Sequence, residues 1–259
     1  MREEPHLSGV RRRKIAQIVQ QRGSAAVRDL CRQFGMSEAT IRRDLRELDE
    51  LGVVTRTRGG VMKNGPVVPD LPNEQRKQVG CEEKRRIGLA AIELLSGDEV
   101  VFLDAGTTAL AVAENASRKP GCRYVTTCLG VARLLREQEI PGFFMIGGSY
   151  QRVNDAFAGT LAISALRSLS FDVSFLCCSA VDVARRSIAI GDEPYSQVQR
   201  EVAAVTRRNI VVAHSDKFAA NAFIRTVRFE DLDTIVTDRD LNGATAARIR
   251  DAGLEVVLA

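Results

Sequence analysis

Residues 37–48 read Ser-Glu-Ala-Thr-Ile-Arg-Arg-Asp-Leu-Arg-Glu-Leu. Ile41, Leu45 and Leu48 fall at i, i+4 and i+7, so they share the inward face of one predicted helix. The opposite face carries the side chains that this helix offers to solvent or to a ligand: Glu38, Thr40, Arg42, Arg43 and Arg46. The stretch therefore predicts an amphipathic helix with a strongly basic outer face.

The flanking segments predict two more helices and a hairpin. Residues 11–22 and 27–34 place apolar side chains at helical spacing, and Gly23 ends the first of them. Gly35 gives a turn before Ser37, a favoured N-cap for the third helix. Residues 53–61 alternate β-branched and basic residues around a glycine pair, as a hairpin does. Together these segments predict a winged helix-turn-helix.

Charge is spread unevenly over the 259 residues. Residues 1–63 hold 14 Lys and Arg against 8 Asp and Glu, a net +6, whereas residues 64–259 hold 23 against 25, a net −2. A basic module joined to a slightly acidic body is typical of a nucleic-acid-binding head, because phosphate neutralisation drives such binding. The alternative is an arginine-rich helix face that is merely solvated or pairs with Asp44, Glu47 and Asp49. The turn, the wing and the net charge favour double-stranded DNA as the partner.

The predicted contacts to DNA follow from the start of the third helix and from the wing. Side chains at the start of a recognition helix reach base edges and phosphates in the major groove, and some of the arginines must hold the backbone. The predicted DNA-binding residues are Ser37, Glu38, Thr40, Arg42, Arg43, Arg46, Arg56 and Arg58.

The rest of the chain predicts a second domain of α/β class. Residues 64–82 contain glycines and prolines with little periodicity, which is typical of a linker. Beyond them, short apolar runs alternate with amphipathic stretches, a pattern that predicts a mainly parallel sheet with helices on both faces. We therefore expect a DNA-binding domain at residues 1–63, a linker at 64–82 and an α/β effector-binding domain at 83–259.

Composition excludes several classes. No apolar run reaches the roughly 18 residues of a membrane span, and the N-terminus lacks the apolar core of a signal peptide, so a cytoplasmic protein without membrane contact is expected. The six cysteines form no Cys-x-x-Cys pair and only two histidines are present. The sequence thus predicts no metal site, no disulfide framework and no cofactor.

Several predicted loops follow the ends of strands in the second domain. Residues 104–108 read Asp-Ala-Gly-Thr-Thr after a predicted strand and open a helix, where backbone N–H groups and two hydroxyls favour a phosphate. A plain turn with a threonine cap is an equally good interpretation of that motif alone. Gly147-Gly148 and Lys217 also follow strand ends, the edge at which open α/β sheets bind ligands. Lys84, at a helix start, offers a further positive charge.

Both halves of the chain resemble the DeoR family of bacterial transcriptional regulators. The N-terminal signature stands here as Ser37, the Thr-Ile-Arg-Arg-Asp-Leu block at 40–45, the Leu-x-x-x-Gly segment at 48–52 and the basic Gly-Gly wing at 56–60, with Arg58 where the family commonly has histidine. The C-terminal signature stands as residues 104–108, 125–127, 147–148, 157–159 and 216–218. His214 occupies a place where an aspartate is usual, and residues 179–182 replace a Gly-rich segment.

The resemblance implies a second domain similar to ribose-5-phosphate isomerase that holds a sugar phosphate. Thr107, Thr108, Lys84 and Lys217 would contact the phosphate, with Asp104 and Asp182 near the sugar hydroxyls. The full implied effector-binding set is Lys84, Asp104, Gly106, Thr107, Thr108, Gly147, Gly148, Asp182 and Lys217.

The expected function is a repressor of a sugar or carbohydrate catabolic operon, released from operator DNA by a phosphorylated sugar. A homodimer or homotetramer is expected, because paired heads match inverted half-sites. An alternative is a sugar-phosphate isomerase with a DNA-binding head, but the chain keeps only Asp182 of the acids such an enzyme uses. No catalytic residue is therefore predicted. A nucleoid-type DNA binder with an oligomerising body is a third possibility.

Overall fold

The structure is a computed structural model that describes residues 11–12, 14–19, 24–50, 54–57, 60–63 and 73–259. The chain divides into two compact units, Met1–Pro66 and Val67–Ala259. Among the described residues no helix is both long and apolar enough to cross a membrane.

The first unit is a helix-turn-helix with a β-hairpin. Residues 11–12 and 14–19 are helical. They are followed by β1 (Ser24–Ala26), α1 (Val27–Phe34), α2 (Glu38–Glu50), β2 (Val54–Thr57) and β3 (Gly60–Lys63). Strand β3 lies between β1 and β2 and pairs antiparallel with both. The predicted winged helix-turn-helix is confirmed, and β1 is a third strand that the sequence did not indicate.

The turn between α1 and α2 forms as its residue types predict. Gly35 takes the left-handed conformation with φ +62°, and the N–H of Met36 donates to the carbonyl of Cys31 at 3.2 Å. Ser37 Oγ accepts from the N–H of Thr40 at 3.2 Å and so caps α2. The apolar face of α2 is buried in the core of the unit, which contains Ile15, Val19, Val27, Leu30, Ile41, Leu45, Leu48, Val54 and Val61.

The second unit contains a seven-stranded parallel sheet. Its strands are β4 (Val100–Leu103), β5 (Arg123–Thr126), β6 (Phe144–Met145), β9 (Phe171–Leu176), β12 (Thr206–Val212), β14 (Thr234–Thr237) and β15 (Glu255–Leu258). Their order across the sheet is β15-β14-β12-β9-β4-β5-β6. The register sets Phe102 of β4 beside Val125 of β5 and Ser174 of β9. The predicted mainly parallel sheet is confirmed, because all six pairings are parallel.

Helices alternate with these strands along the chain. They are α3 (Asn73–Lys77), α4 (Cys81–Ile92), α5 (Thr107–Ala113), α6 (Leu129–Glu137), α7 (Thr160–Leu166), α8 (Glu193–Ala204) and α9 (Gly243–Asp251), with short 3₁₀ turns at Ala116–Arg118, Ser215–Phe218 and Phe229–Asp231. Helix α3 and the start of α4 lie inside the segment 64–82 predicted as a linker. Residues 73–82 are therefore an ordered part of the second unit.

Two smaller antiparallel sheets complete this unit. Strands β10 (Ala180–Asp182), β11 (Ser187–Ile190) and β13 (Ile224–Arg228) form one, and β7 (Ser149–Gln151) pairs with β8 (Ala156–Ala158) in the other. The sequence does not predict these five strands, because each has five residues or fewer and lacks a clear alternation of apolar and polar residues.

The strand order decides which loops meet. Strands β12, β9 and β4 are neighbours, so the segments after Val212, Leu176 and Leu103 lie side by side at one sheet edge. Strand β6, which precedes Gly147, is the edge strand and is separated from β4 by β5.

Candidate functional site

The outer face of α2 is exposed to solvent. Ser37, Glu38, Arg42, Arg43 and Arg46 are exposed, and Thr40 is half-buried. Arg56 on β2 is also exposed. Arg58 lies outside the described residues. The face of α2 that the i, i+4 and i+7 spacing of its apolar residues predicts to point outward is thus exposed to solvent.

Acidic neighbours do not neutralise this whole face. Buried Asp44 forms an ion pair with Arg11 at 2.6 Å, and Glu47 pairs with Arg12. Asp49 accepts a hydrogen bond from the backbone N–H of Arg56 at 3.4 Å.

The three arginines of the face differ. Arg42 is held by Glu38, with Nη2 and Nε at 2.6 and 2.9 Å from Oε1. Arg43 and Arg46 make no hydrogen bond or ion pair with any residue that the structure describes. Two positive charges per chain are therefore free to meet an external anion, whereas the third has an internal partner.

A cavity of ≈ 120 Å³ opens at the carboxyl ends of β4, β9 and β12. Its lining residues are Arg76, Val79, Lys84, Gly106, Thr107, Thr108, Cys177, Cys178, His214, Asp216 and Lys217. The structure thus brings together Lys84, Gly106, Thr107, Thr108 and Lys217, which the sequence analysis selected. Two hydroxyls and three cationic side chains around one opening suit an anion with several oxygen acceptors.

Gly106 is required by close packing in this cavity. A Cβ at this position would lie 2.8 Å from Cys177 Sγ and 2.9 Å from Cys177 Cβ. A side chain here would therefore push the loop 104–108 away from the end of β9.

Lys84 is buried and holds the preceding segment. Its Nζ donates to the carbonyl oxygens of Arg76 and Val79, at 2.6 and 2.5 Å. Burial lowers the pKa of the Lys84 ammonium, and the nearby positive charge of Lys217 lowers it further. An anion placed between the two lysines would stabilise both positive charges and so oppose this lowering.

Asp104 is buried and holds the loop 104–108 in place. Its carboxylate is fully buried and accepts from Tyr195 Oη at 2.6 Å, Gln199 Nε2 at 2.7 Å, and the N–H groups of Ala105 and Cys177, both at 2.8 Å. Burial raises the pKa of this carboxyl, and the four donated hydrogen bonds offset that rise only in part. Asp104 therefore pins the loop 104–108 to β9 and α8 and does not line the cavity.

His214 lies between two carboxylates. Its Nδ1 is 3.5 Å from Asp216 Oδ2, and its Nε2 is 3.8 Å from Asp238 Oδ2. The ring also packs against Gly80, where an added Cβ would meet Nε2 at 3.0 Å. The imidazole thus supports the turn that leads into α4.

Three predicted residues lie away from this cavity. Gly147 and Gly148 follow the edge strand β6, and Gly148 is needed for packing, since a Cβ there would lie 2.5 Å from the carbonyl oxygen of Ala158. Asp182 ends β10, where it pairs with Arg185 at 2.8 Å and accepts from its N–H at 2.9 Å. The geometry does not bring these residues to the lysines and threonines.

Arg76, Cys177 and Cys178 line the cavity and were not predicted from the sequence. Cys177 and Cys178 directly follow β9, so their place at the sheet edge was open to inference from the strand order. Arg76 gave no signal, because it stands in a segment with linker composition. No group of three or more metal-ligating side chains occurs among the described residues.

Comparison with known proteins identifies both halves. Residues 80–239 match the DeoR C terminal sensor domain, and residues 11–66 match the DeoR-like helix-turn-helix domain. The chain belongs to the DeoR family. It is therefore a DNA-binding transcriptional regulator, and the prediction that it is not an enzyme is confirmed.

Relatives in this family are named as repressors. The chain is 31% identical to a putative aga operon transcriptional repressor of Escherichia coli O157:H7, over 96% of this chain and 93% of that one. It is 35% identical to the transcriptional repressor AccR of Agrobacterium fabrum, over 88% of each chain. It is 26% identical to a lactose phosphotransferase system repressor of Staphylococcus aureus, over 87% of this chain and 90% of that one.

Among solved structures, the DeoR-family chain is similar to ribose 5-phosphate isomerase A of Methanocaldococcus jannaschii. The TM-score is 0.41 at 15% identity, over 54% of this chain and 55% of that one.

Proposed function

We propose that this DeoR-family regulator is a repressor of a sugar-utilisation operon, and that a phosphorylated sugar in the cavity at the ends of β4, β9 and β12 releases it from DNA. The relatives support a repressor, and one of them is named for a lactose phosphotransferase system. The match of residues 80–239 to a sensor domain supports an effector site in this unit.

The charge of the cavity is the observation that supports a phosphorylated effector. Arg76, Lys84 and Lys217 line it together with the two threonines. The one lining carboxylate, Asp216, has a side chain that is 76% exposed and can turn to solvent. A site with this surplus of donors and positive charge favours a phosphate group over a neutral sugar.

The DNA contacts follow from the free and paired charges on the first unit. Arg43 and Arg46 neutralise phosphates, and Ser37, Glu38 and Thr40 at the start of α2 lie where base edges are read. Arg42 must release the Glu38 carboxylate before its guanidinium group contributes to DNA binding. Arg56 and Arg58 of the wing provide further backbone contacts.

Residues 73–80 are the segment whose arrangement changes when the effector binds in the cavity. Lys84 holds this segment by the carbonyls of Arg76 and Val79, and Asn73 ties its start to Asn154 through a 2.7 Å hydrogen bond. An anion beside Lys84 competes with those carbonyls for the ammonium, so it favours a different arrangement of the segment that leads back to the DNA-binding unit. A preference of ~1–3 kcal/mol between the two arrangements is enough for regulation.

Domain boundaries and assembly complete the proposal. Residues 1–63 bind DNA and residues 83–259 bind the effector, together with Arg76 and Val79 of the segment 64–82 predicted as a linker. The compact units Met1–Pro66 and Val67–Ala259 support a boundary close to residue 66. Two heads in a homodimer, or four in a homotetramer, raise the affinity for inverted half-sites.

A thermal unfolding screen of the full chain against inorganic phosphate and a panel of sugar phosphates tests the effector site. A ligand at 100 times its Kd stabilises the folded state by about 2.7 kcal/mol. We expect stabilisation of the wild type by at least one sugar phosphate, and a loss of that stabilisation in Lys217→Ala. Stabilisation by none of them, or an equal shift in both proteins, would contradict the assignment of the cavity.

A further inference from the structure

A second, much smaller cavity adjoins the first. It has ≈ 10 Å³ of free space and shares Arg76, Cys177 and Cys178 with the larger one. Its other lining residues are Ala105, Asn154, Ser179, Ile190, Tyr195 and Gln199. A space of this size holds one water-sized group, such as a hydroxyl.

Gln199 on α8 presents an unpaired acceptor at this cavity. The side chain is only 1% exposed. Its Nε2 donates to Asp104 Oδ2 at 2.7 Å and to the carbonyl oxygen of Cys177 at 2.6 Å. Its Oε1 has no hydrogen-bond partner among the residues that the structure describes.

The orientation of this amide is fixed by its neighbours. A carbonyl oxygen can only accept, so turning the amide over would set Gln199 Oε1 against the Cys177 oxygen at hydrogen-bonding distance. The atom without a partner is therefore the oxygen, on a side chain that lines the small cavity. A buried acceptor without a donor is unfavourable, which makes it an attractive partner for any donor that enters.

Arg76 connects the two cavities. It lines both, and its Nη2 is held by Asn73 Oδ1 at 2.7 Å and Asn154 Oδ1 at 2.9 Å. Its buried Nε has no partner among the described residues. A molecule that occupies both cavities therefore has Arg76 as a shared neighbour.

We propose that the small cavity is a second subsite of the effector site, in which Gln199 Oε1 accepts a hydrogen bond from one hydroxyl of the effector. This inference rests on the proposed phosphate site, and it specifies which phosphorylated molecules the effector site accepts. A hydroxyl donor is favoured, because Gln199 Oε1 offers only an acceptor. A second carboxylate or phosphate is excluded by size, because ≈ 10 Å³ holds only one water-sized group. The effector class is a monophosphate that also bears hydroxyls, not a phosphorylated acid.

The test compares affinities of the full chain for four probes: inorganic phosphate, glycerol 3-phosphate, ribose 5-phosphate and glucose 6-phosphate. We expect at least one hydroxylated probe to bind the wild type about tenfold or more tightly than inorganic phosphate, since a donor satisfies the buried acceptor. In Gln199→Met we expect this ratio to fall to about one. The ratio is the readout, because this variant also removes a donor from Asp104 and so changes the support of the loop 104–108 that meets the phosphate. Gln197→Met, an exposed position on the same helix, is the matched control and should keep the wild-type ratio.

A second variant guards against misfolding of Gln199→Met. Gln199→Lys keeps a donor for Asp104 and for the Cys177 carbonyl but removes the acceptor, so it should also lose the preference for the hydroxylated probe. If the ratio is unchanged in either folded variant, or if no hydroxylated probe exceeds inorganic phosphate in the wild type, the subsite is refuted while the phosphate site stands. If no probe binds the wild type at all, the proposed effector site itself fails.

Discussion

Replacing Arg43 by alanine should weaken the attraction of the protein to any DNA duplex and flatten its dependence on salt. Arg43 is exposed on α2 and has no internal partner among the described residues, so its charge is available to a phosphate. Each phosphate contact contributes about 0.9 to the slope of log affinity against log salt. One lost contact then changes the ratio of affinities between 50 and 200 mM salt by about 3.5-fold, and two lost contacts in a dimer by about 12-fold.

The assay is fluorescence anisotropy of a labelled duplex of arbitrary sequence, titrated with the full chain at several salt concentrations. Arg32→Ala is the matched control, because it removes the same charge from an exposed position on α1, where the arginine is paired with Asp29 at 2.6 Å. We expect a wild-type slope in Arg32→Ala and a slope reduced by one to two in Arg43→Ala. Equal slopes in the two variants would refute the assignment of α2 as the helix that contacts DNA.

Three further outcomes are expected. Lys217→Ala should bind DNA like the wild type but lose release by sugar phosphates, measured by the same anisotropy titration; release at the wild-type concentration would count against its role. Gly106→Ala should lower the free energy of unfolding by about 1–3 kcal/mol, because its Cβ would lie 2.8 Å from Cys177 Sγ. A urea titration measures this loss, and Gly147→Ala is its control, which should be neutral since nothing lies within 4 Å of the added Cβ. At alkaline pH below 10.5, the ordinary pKa of a lysine, phosphate binding should be accompanied by proton uptake, because an anion raises the lowered pKa of Lys84 towards that value. Calorimetry in buffers of different ionisation enthalpy measures this uptake, and its persistence in Lys84→Met would show that another group takes the proton.

Much of the fold was predictable because its signals are local. The apolar spacing of Ile41, Leu45 and Leu48 and the cap at Ser37 specify α2. The run Val100–Leu103 is bounded by polar residues and forms β4 with the same limits. The strands β10 and β11 form a hairpin and escaped prediction because they are short. Strand β13 is also short, and it owes its pairing to β11, which is distant in sequence.

The site was predictable only where a strand end fixes the position of a side chain. Thr107, Thr108 and Lys217 meet because β4 and β12 flank β9. Gly148 was placed with them from sequence, but β6 is two strands away from β4. Asp104 was expected beside sugar hydroxyls, and four internal donors instead bury it, a fact that depends on the distant Tyr195 and Gln199.

We propose that one molecule couples an anion in the second unit to a duplex bound by the first. This coupling is measured as the affinity of the full chain for a duplex selected by its binding to the protein, with and without a saturating sugar phosphate that stabilises the protein in the thermal screen. We expect a fall in affinity of about 5–150-fold, which corresponds to the usual coupling of 1–3 kcal/mol. An affinity that stays the same while the sugar phosphate is bound would contradict it.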